Sequence, residues 1–476
     1  VVANLIGMAL LAIEWNQRSF EGAVLSGFLV WVLMLPESGR SVKSLGGWRI
    51  FVILVALFVG VQGVVSMKSL YADGSYFLLT IITSGKFMLM PARELAGIAT
   101  QLPLLIGLRV GVVDIDVLAR LFGFGLIGLP ILIWIYVLLR HRYSPLFWLF
   151  VLAFSWVYLM SGFFAIGEYN VAYALVAAAA AILMVPTITL GDGIVLCTVA
   201  FLGIRSYELM VLAGPMLALG CLGRLRTDGS RIRVGARWLI RASAGLFVLG
   251  AAFALVSIIY PRDPATFASS TRGPALLFSG QIFYVSSLTC LALVASLSRR
   301  PRWLGAVLMV TGAVLAVAYL TADAFRVYPS LSYSLRTALV VPMFAGLFFV
   351  VIHCFSPGLK AWTIFSESRA AKALVLIVFM TLTVNIVRDN YGFGRMVSAF
   401  RAEVARLPVS TPVSQTPLDW NPSYRRYLWD WSNPVMSQLL GDGRAIIENK
   451  PEYQGWEPDL THLIQKNLLA PFRAPH

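Results

Sequence analysis

The sequence predicts an all-α polytopic membrane protein with about 13 transmembrane helices and a small extracytoplasmic C-terminal domain. Three observations carry that expectation. The first is composition: 58% of residues are hydrophobic and only 13% charged, where a soluble domain carries about 25% charged residues, and the mean hydropathy is +0.78. The second is length. Apolar runs of roughly 16 to 24 residues recur along the chain, close to what a helix needs to cross a bilayer. They do not alternate apolar and polar residues as the strands of a closed barrel would. The third is charge. The chain is at +15, and its Arg residues gather in short tracts between the apolar runs, so the positive charge speaks for membrane orientation rather than for nucleic acid.

The runs fall at about 1–13, 20–35, 49–66, 117–139, 145–161, 170–186, 193–204, 207–223, 237–260, 276–297, 303–321, 335–354 and 371–388. The first and seventh are short for a span and call for tilt, a kink or help from neighbouring residues. If every run crosses once, one side receives Arg40, Lys43 and Arg49; Arg140, His141 and Arg142; the six arginines from Arg224 to Arg241; Arg299, Arg300 and Arg302; and Lys360, Arg369 and Lys372. Basic connections mark the cytoplasm. The other side then holds residues 67–116, "FFAIGEYN", "IRSYEL", "YPRDPATFASSTRGP", "TADAFRVYPSLSYS" and the tail. The N-terminus is expected inside, and no small-residue cleavage site follows the first run, so no cleavable signal peptide is expected.

Residues 97–112, "GIATQLPLLIGLRVGV", are apolar enough to resemble a span. Counting them as one would invert every later loop, so they are expected to form a short helix on or dipping into the outer face, joined by "VDID" to the next span. The transmembrane domain is expected over residues 1–388. Residues 389–476, rich in Pro, Trp, Tyr and charge, are expected to be a soluble extracytoplasmic domain with Trp420, Trp429, Trp431 and Trp456 in its core, at the membrane surface or stacked on sugar. Cys197, Cys221, Cys290 and Cys354 lie far apart within apolar runs and the four histidines lack metal spacing, so neither a disulfide nor a metal centre is expected. "GFGLIG" at 123–128 lies in an apolar span and reads as close helix packing.

Against this background a few outer-face charges stand out, because ionisable side chains in or at the mouths of membrane segments are costly. Asp73 follows the third run directly, with Gly74 beside it and Tyr71 and Tyr76 around it. Glu168 stands in "IGEYN"; Arg205 and Glu208 stand in "IRSYEL". Each has a plain structural alternative. Asp73–Gly74 can be a turn, Glu168 a helix cap, and Arg205 and Glu208, spaced i,i+3, partners of each other.

The stretches "YADGSYFLLTIITSGKFMLMPAREL" and "ATQLPLLIGLRVGVVDIDVLARLFGFGLIGLPILIWIYVLLRHR" present a span, an acidic outer loop, an amphipathic outer helix, and a span ending in a basic tract. That order resembles the N-terminal module of GT-C-fold glycosyltransferases, the superfamily of the protein mannosyltransferases, the lipid A aminoarabinose transferase and the mycobacterial arabinosyltransferases. The resemblance covers about residues 49–210. It implies a polyprenyl-phosphate sugar as donor and a glycan, lipid or protein as acceptor, with Asp73 at the position of the essential acidic residue of the first outer loop and Glu168 as the counterpart in the second. The sequence departs from the pattern in an extra pair of runs before residue 36 and in "ADG" where an acidic pair such as Asp-Glu would stand, so no cofactor is called for and a divalent metal lacks support.

Transfer from such a donor expels a phosphate, which needs no strong general acid. It needs a base for the acceptor hydroxyl and cations for the charge gathering on phosphate oxygens. Asp73 is the expected base and Glu168 the expected positioning carboxylate. Arg205 is the first expected phosphate ligand, since a planar guanidinium suits phosphate bidentately; Glu208 belongs to the same turn, and Lys86, Arg93, Arg272, Arg326 and Arg336 are further cations of that face. The expected setting is a bacterial inner membrane. Two other classes remain open: a transporter or lipid flippase, and a non-catalytic subunit of a membrane complex.

Overall fold

A computed structural model of the protein describes residues 47–90, 93–160, 169–229, 231–260, 340–356, 369–429, 432–441 and 446–449, with isolated residues 287, 310–312 and 314. The runs expected at 1–13, 20–35, 276–297 and 303–321 lie outside the described residues.

The described chain is helical, and four helices are long and apolar enough to cross a membrane: Gly47–Val65, Ile115–Arg140, Val234–Ile259 and Ala371–Arg406. Shorter apolar helices cover Leu146–Leu159, Tyr169–Leu183, Leu190–Gly203 and Met343–Phe355. The first described helix, α1 (Gly47–Val65), shows why lipid suits its surroundings. Phe51, Ala56, Val59 and Gly63 are buried on one side, while Ile50, Leu54, Leu57, Phe58, Val61 and Val65 form an apolar stripe 42–58% exposed. In water such a stripe would cost folding free energy; in hydrocarbon it does not.

A short 3-10 turn, Lys68–Leu70, leads from α1 into α2 (Asp73–Ser84). Next come α3 (Glu94–Arg109), then α4 (Ile115–Gly123) and α5 (Leu129–Arg140), which are joined through a π-helical turn at Phe124–Gly128 into one span. Asp114 caps that span, its side chain accepting from the amides of Asp116 and Val117. The glycines of "GFGLIG" act as close-packing residues: a Cβ on Gly125 would overlap the backbone carbonyl of Thr100 in α3, and one on Gly123 would lie 3.3 Å from Ser69 Oγ. On α1, Gly60 meets Ile131 in the same way, at 2.9 Å.

Helices α6 (Leu146–Phe154, continued by a second π turn at Ser155–Leu159), α7 (Tyr169–Leu183), α8 (Leu190–Gly203), α9 (Met210–Asp228) and α10 (Val234–Ile259) follow. All but one residue of α7 are buried, which makes it the axis of the bundle. A capping box between Thr189 and Asp192 starts α8, and Asp192 also receives Arg140 at 2.8 Å. α11 (Val340–Phe355) packs on α9, where Gly223 lets the backbone approach Cys354 and Phe355.

The last long helix, α12 (Arg369–Arg406), has 38 residues, about 57 Å at 1.5 Å per residue, far more than the roughly 30 Å of a hydrocarbon core. It runs unbroken through residue 389, where the soluble tail was expected to begin, so the tail grows out of a continuous helix. Beyond it a two-residue parallel ladder pairs Thr411–Pro412 with Ile447–Glu448, and three short helices, Pro417–Trp420, Pro422–Arg425 and Asn433–Leu440, fill the interval. Asn433–Leu440 packs on α2 and α12.

Polar contacts tie together loops expected on one side. Arg49 donates to the carbonyl of Arg142, Arg140 meets Asp192, and Arg224 donates to Val185 and Pro186. In a separate group, Ser69 donates to the carbonyl of Ala119, the amide of Leu95 donates to Arg205, and Arg401 pairs with Asp116.

Candidate active site

Asp73 opens α2 at the point where α1 has ended and the backbone has turned. The turn is strained. Met67 and Ala72 bracket the 3-10 segment with φ of 53° and 52°, a region that residues with a Cβ seldom occupy. An alanine at positive φ directly before a half-buried carboxylate is the kind of local cost that surrounding structure must sustain.

That support is visible. Ser69 is tied to the carbonyl of Ala119 at 2.7 Å. Tyr71 is 1% exposed, and its ring meets Phe393 of α12 and Trp429 of the tail edge-on, each at 5.7 Å. Tyr71 is therefore a core residue of this junction, while Tyr76 is half-buried beside Phe77. Lys68 is buried beneath the turn, and burial holds its ammonium down to about 7, with the charge of Asp389 opposing that shift.

Asp389 has no exposed surface and accepts from the hydroxyl of Tyr427 at 3.2 Å. Arg426 approaches it at 3.4 Å and Arg388 at 4.0 Å. Burial and the Asp389 charge push the Tyr427 hydroxyl well above its ordinary value, so it is a neutral donor. The loop bearing Asp73 is thus clamped between α4, α12 and the C-terminal segment.

A second cluster sits at the start of α3. Arg93 Nη2 lies 3.0 Å from Glu208 Oε1, and Arg205 pairs with Glu94. Arg205 and Glu208 do not pair with each other; each crosses to the neighbouring element. Arg93 covers the ring of Tyr207 at 4.7 Å and Arg205 that of Phe253 at 4.8 Å, and Tyr207 in turn meets Tyr169 and Tyr173. The amide of Leu95 donates to the carbonyl of Arg205 at 3.1 Å. Helix α3 is thereby fastened to the α8–α9 turn. The arginines are oriented by carboxylates, and the Arg205 side chain keeps 40% of its surface.

Lys86 stands beyond the far end of α2, exposed. The twelve residues of that helix put about 18 Å of axial rise between it and Asp73. Glu168, Arg272, Arg326 and Arg336 lie outside the described residues. Sequence reasoning missed Glu94, Lys68, Asp389, Arg426 and Tyr427. Glu94 carried a signal, an acid in the first turn of α3; Asp389 carried none, because the end of an apolar run hid its burial. Among the described residues no group of three or more His, Cys, Asp and Glu is placed to hold a metal ion. Asp73 thus stands on a rigid turn, while Arg93 at the start of α3 and Arg205 on the α8–α9 turn are each oriented by a carboxylate. No known family model, curated protein or solved structure matches the chain.

Proposed function

We propose that the chain is a membrane glycosyltransferase that moves a sugar from a polyprenyl-phosphate donor to an acceptor on the outer face of the membrane. The observation that carries this reading is the setting of Asp73: a carboxylate at the exit of a membrane helix, directly after an alanine at positive φ, on a turn clamped from three sides. A general base must be held in place, and a turn residue of no catalytic use has no need of such support.

In the reaction an acceptor hydroxyl oxygen attacks the anomeric carbon. The bond from that carbon to the phosphate oxygen breaks, and its electron pair leaves with the phosphate. Asp73 takes the hydroxyl proton, and Arg205, with Arg93 beside it, stabilises the charge on the leaving phosphate. A single displacement inverts the anomeric centre. Glu168 is assigned to acceptor or sugar positioning. The donor and acceptor approach from the side opposite to the Arg tracts, which in a bacterial inner membrane is the periplasmic side.

The test uses purified full-length chain in liposomes with a panel of polyprenyl-phosphate sugars and an envelope glycan and lipid extract as acceptor. The expected result is release of polyprenyl phosphate matched by sugar incorporation, lost in Asp73→Asn. Absence of release with every donor, from protein of native melting behaviour, overturns the reading. A second reading, a transporter or flippase, draws on Asp389, a buried carboxylate on the last long helix; it predicts substrate movement across the same liposomes without bond cleavage.

A further inference from the structure

Helices α2 and α3 end at the same place, and an open cleft of about 380 Å³ lies between their C-terminal ends. Gly85, Phe87, Leu105, Ile106 and Val110 form its lining, and Lys86 and Arg109 complete it. The apolar part is not shielded from its surroundings: Phe87 is 36%, Ile106 54% and Val110 73% exposed. Leu89, Leu102 and Val113, also exposed, are their near neighbours in the chain. Gly85 and Gly111, both at positive φ, turn the chain at the two helix ends.

The two cations need an explanation. Arg93, Arg205 and Arg401, in the same group of loops, each have a carboxylate. Lys86 and Arg109 have no ion-pair partner among the described residues. Helix C-termini account for part of their placement, but each such end carries only about half a negative charge. Two helix ends and two full positive charges leave about one unit of positive charge at the cleft. A net cation beside an exposed apolar hollow, in a chain that spans a membrane, fits an anion with a hydrocarbon tail.

We propose that this cleft binds an anionic phospholipid, with its phosphate between Lys86 and Arg109 and an acyl chain along Leu105, Ile106 and Phe87. Free phosphate suits the site poorly, because it leaves the apolar lining uncovered. The sugar donor of the proposed reaction suits it poorly too. The cleft lies about 18 Å along α2 from Asp73, and a donor phosphate bound there would hold its anomeric carbon far outside the roughly 3–3.5 Å that reacting atoms require. The lipid instead fixes the height of α2 and α3 at the membrane surface. The inference stands without the glycosyltransferase reading.

The test is native mass spectrometry of the purified, delipidated full-length protein titrated with phosphatidylglycerol, with phosphatidylcholine, inorganic phosphate and polyprenyl phosphate as separate arms. Wild type should retain phosphatidylglycerol over phosphatidylcholine. A Lys86→Gln/Arg109→Gln double variant should bind it about tenfold or more weakly, the loss expected from removing charge-assisted hydrogen bonds. Ile106→Trp, which fills the hollow and keeps both charges, should weaken the lipid too, and Arg120→Gln, an exposed cation outside the cleft, should not. Equal retention in the double variant, equal loss in Arg120→Gln, displacement of the lipid by inorganic phosphate, or preference for polyprenyl phosphate at this site each overturn the proposal. Melting curves for every variant separate lost binding from lost fold.

Discussion

Arg93 and Glu208 are 115 positions apart in the chain and 3.0 Å apart in space, and beside them Arg205 reaches back to Glu94. Two crossed ion pairs thus join the first turn of α3 to the α8–α9 turn. Surface ion pairs contribute little by themselves, about 0–1 kcal/mol. Their value here is orientation: they fix the guanidinium of Arg93 at the start of α3 and that of Arg205 on the facing α8–α9 turn.

That relationship separates two roles for Arg205. If it binds donor phosphate, Arg205→Ala should raise donor KM about tenfold or more, because a lost hydrogen bond to a charged group costs roughly 1.5–3 kcal/mol. Arg205→Lys should raise it less, keeping the charge and losing the fork. Glu94→Gln should leave KM level or lower it, since it frees the guanidinium. Equal rises in Arg205→Ala and Glu94→Gln would assign the pair to holding α3.

Lys68 gives a pH prediction. Its folded value is about 7, against about 10.4 for an unfolded lysine. Between these values the unfolded chain binds the proton and the folded chain does not, so stability should rise with pH across that window. Below it both states are charged, and the folded state carries the full burial penalty. Melting in detergent from about pH 6.5 to about 9.5 should show the rise in wild type and a flatter profile in Lys68→Met. Identical profiles would mean that Lys68 is neutral or paired throughout.

Two glycines make a packing prediction. Gly125→Ala drives a Cβ into the backbone of Thr100, and overpacking of this kind typically costs about 1–3 kcal/mol. Gly245, inside α10 with nothing within 4 Å, should accept alanine with a gain of about 0.5–1 kcal/mol. Melting temperatures moving in opposite directions would bear out the close approach of α3 to the π turn; matched shifts would refute it.

Much of the bundle was legible because lipid makes span length and composition the same signal. The run at 49–66 became Gly47–Val65, that at 237–260 became Val234–Ile259, and that at 117–139 became Ile115–Arg140. Helix α2 was not foreseen, since Asp73, Gly74, Ser75 and Thr80 dilute its apolar face, and part of its burial comes from the tail helix Asn433–Leu440. The continuation of the last long helix past residue 388 was not foreseen for a related reason. Polar residues after 388 read as soluble chain, yet Asp389 and Asn390 are buried and the helix continues. The partners of Arg205 and Glu208 were unreadable, because pairing across more than a hundred residues leaves no local pattern.

Orientation yields a fourth prediction. In a background lacking the native cysteines, Val409→Cys, which replaces a residue 63% exposed just past α12, should react with an impermeant thiol reagent in intact cells. Arg231→Cys, at the exposed turn before α10, should react only after permeabilisation. The reverse pattern would put the Asp73 turn on the cytoplasmic side.

The central claim is that Asp73 is a base and not a turn former. Asp73→Asn nearly keeps shape and removes the base, and general-base catalysis typically contributes about 10²–10⁴ in rate. The deciding measurement is sugar transfer by membranes holding matched amounts of wild type and Asp73→Asn, with melting temperatures determined alongside. The account predicts a fall by roughly that factor with little change in melting. Retention of more than about a tenth of wild-type transfer, short of that catalytic range, would contradict it and make Asp73 a residue of the turn alone.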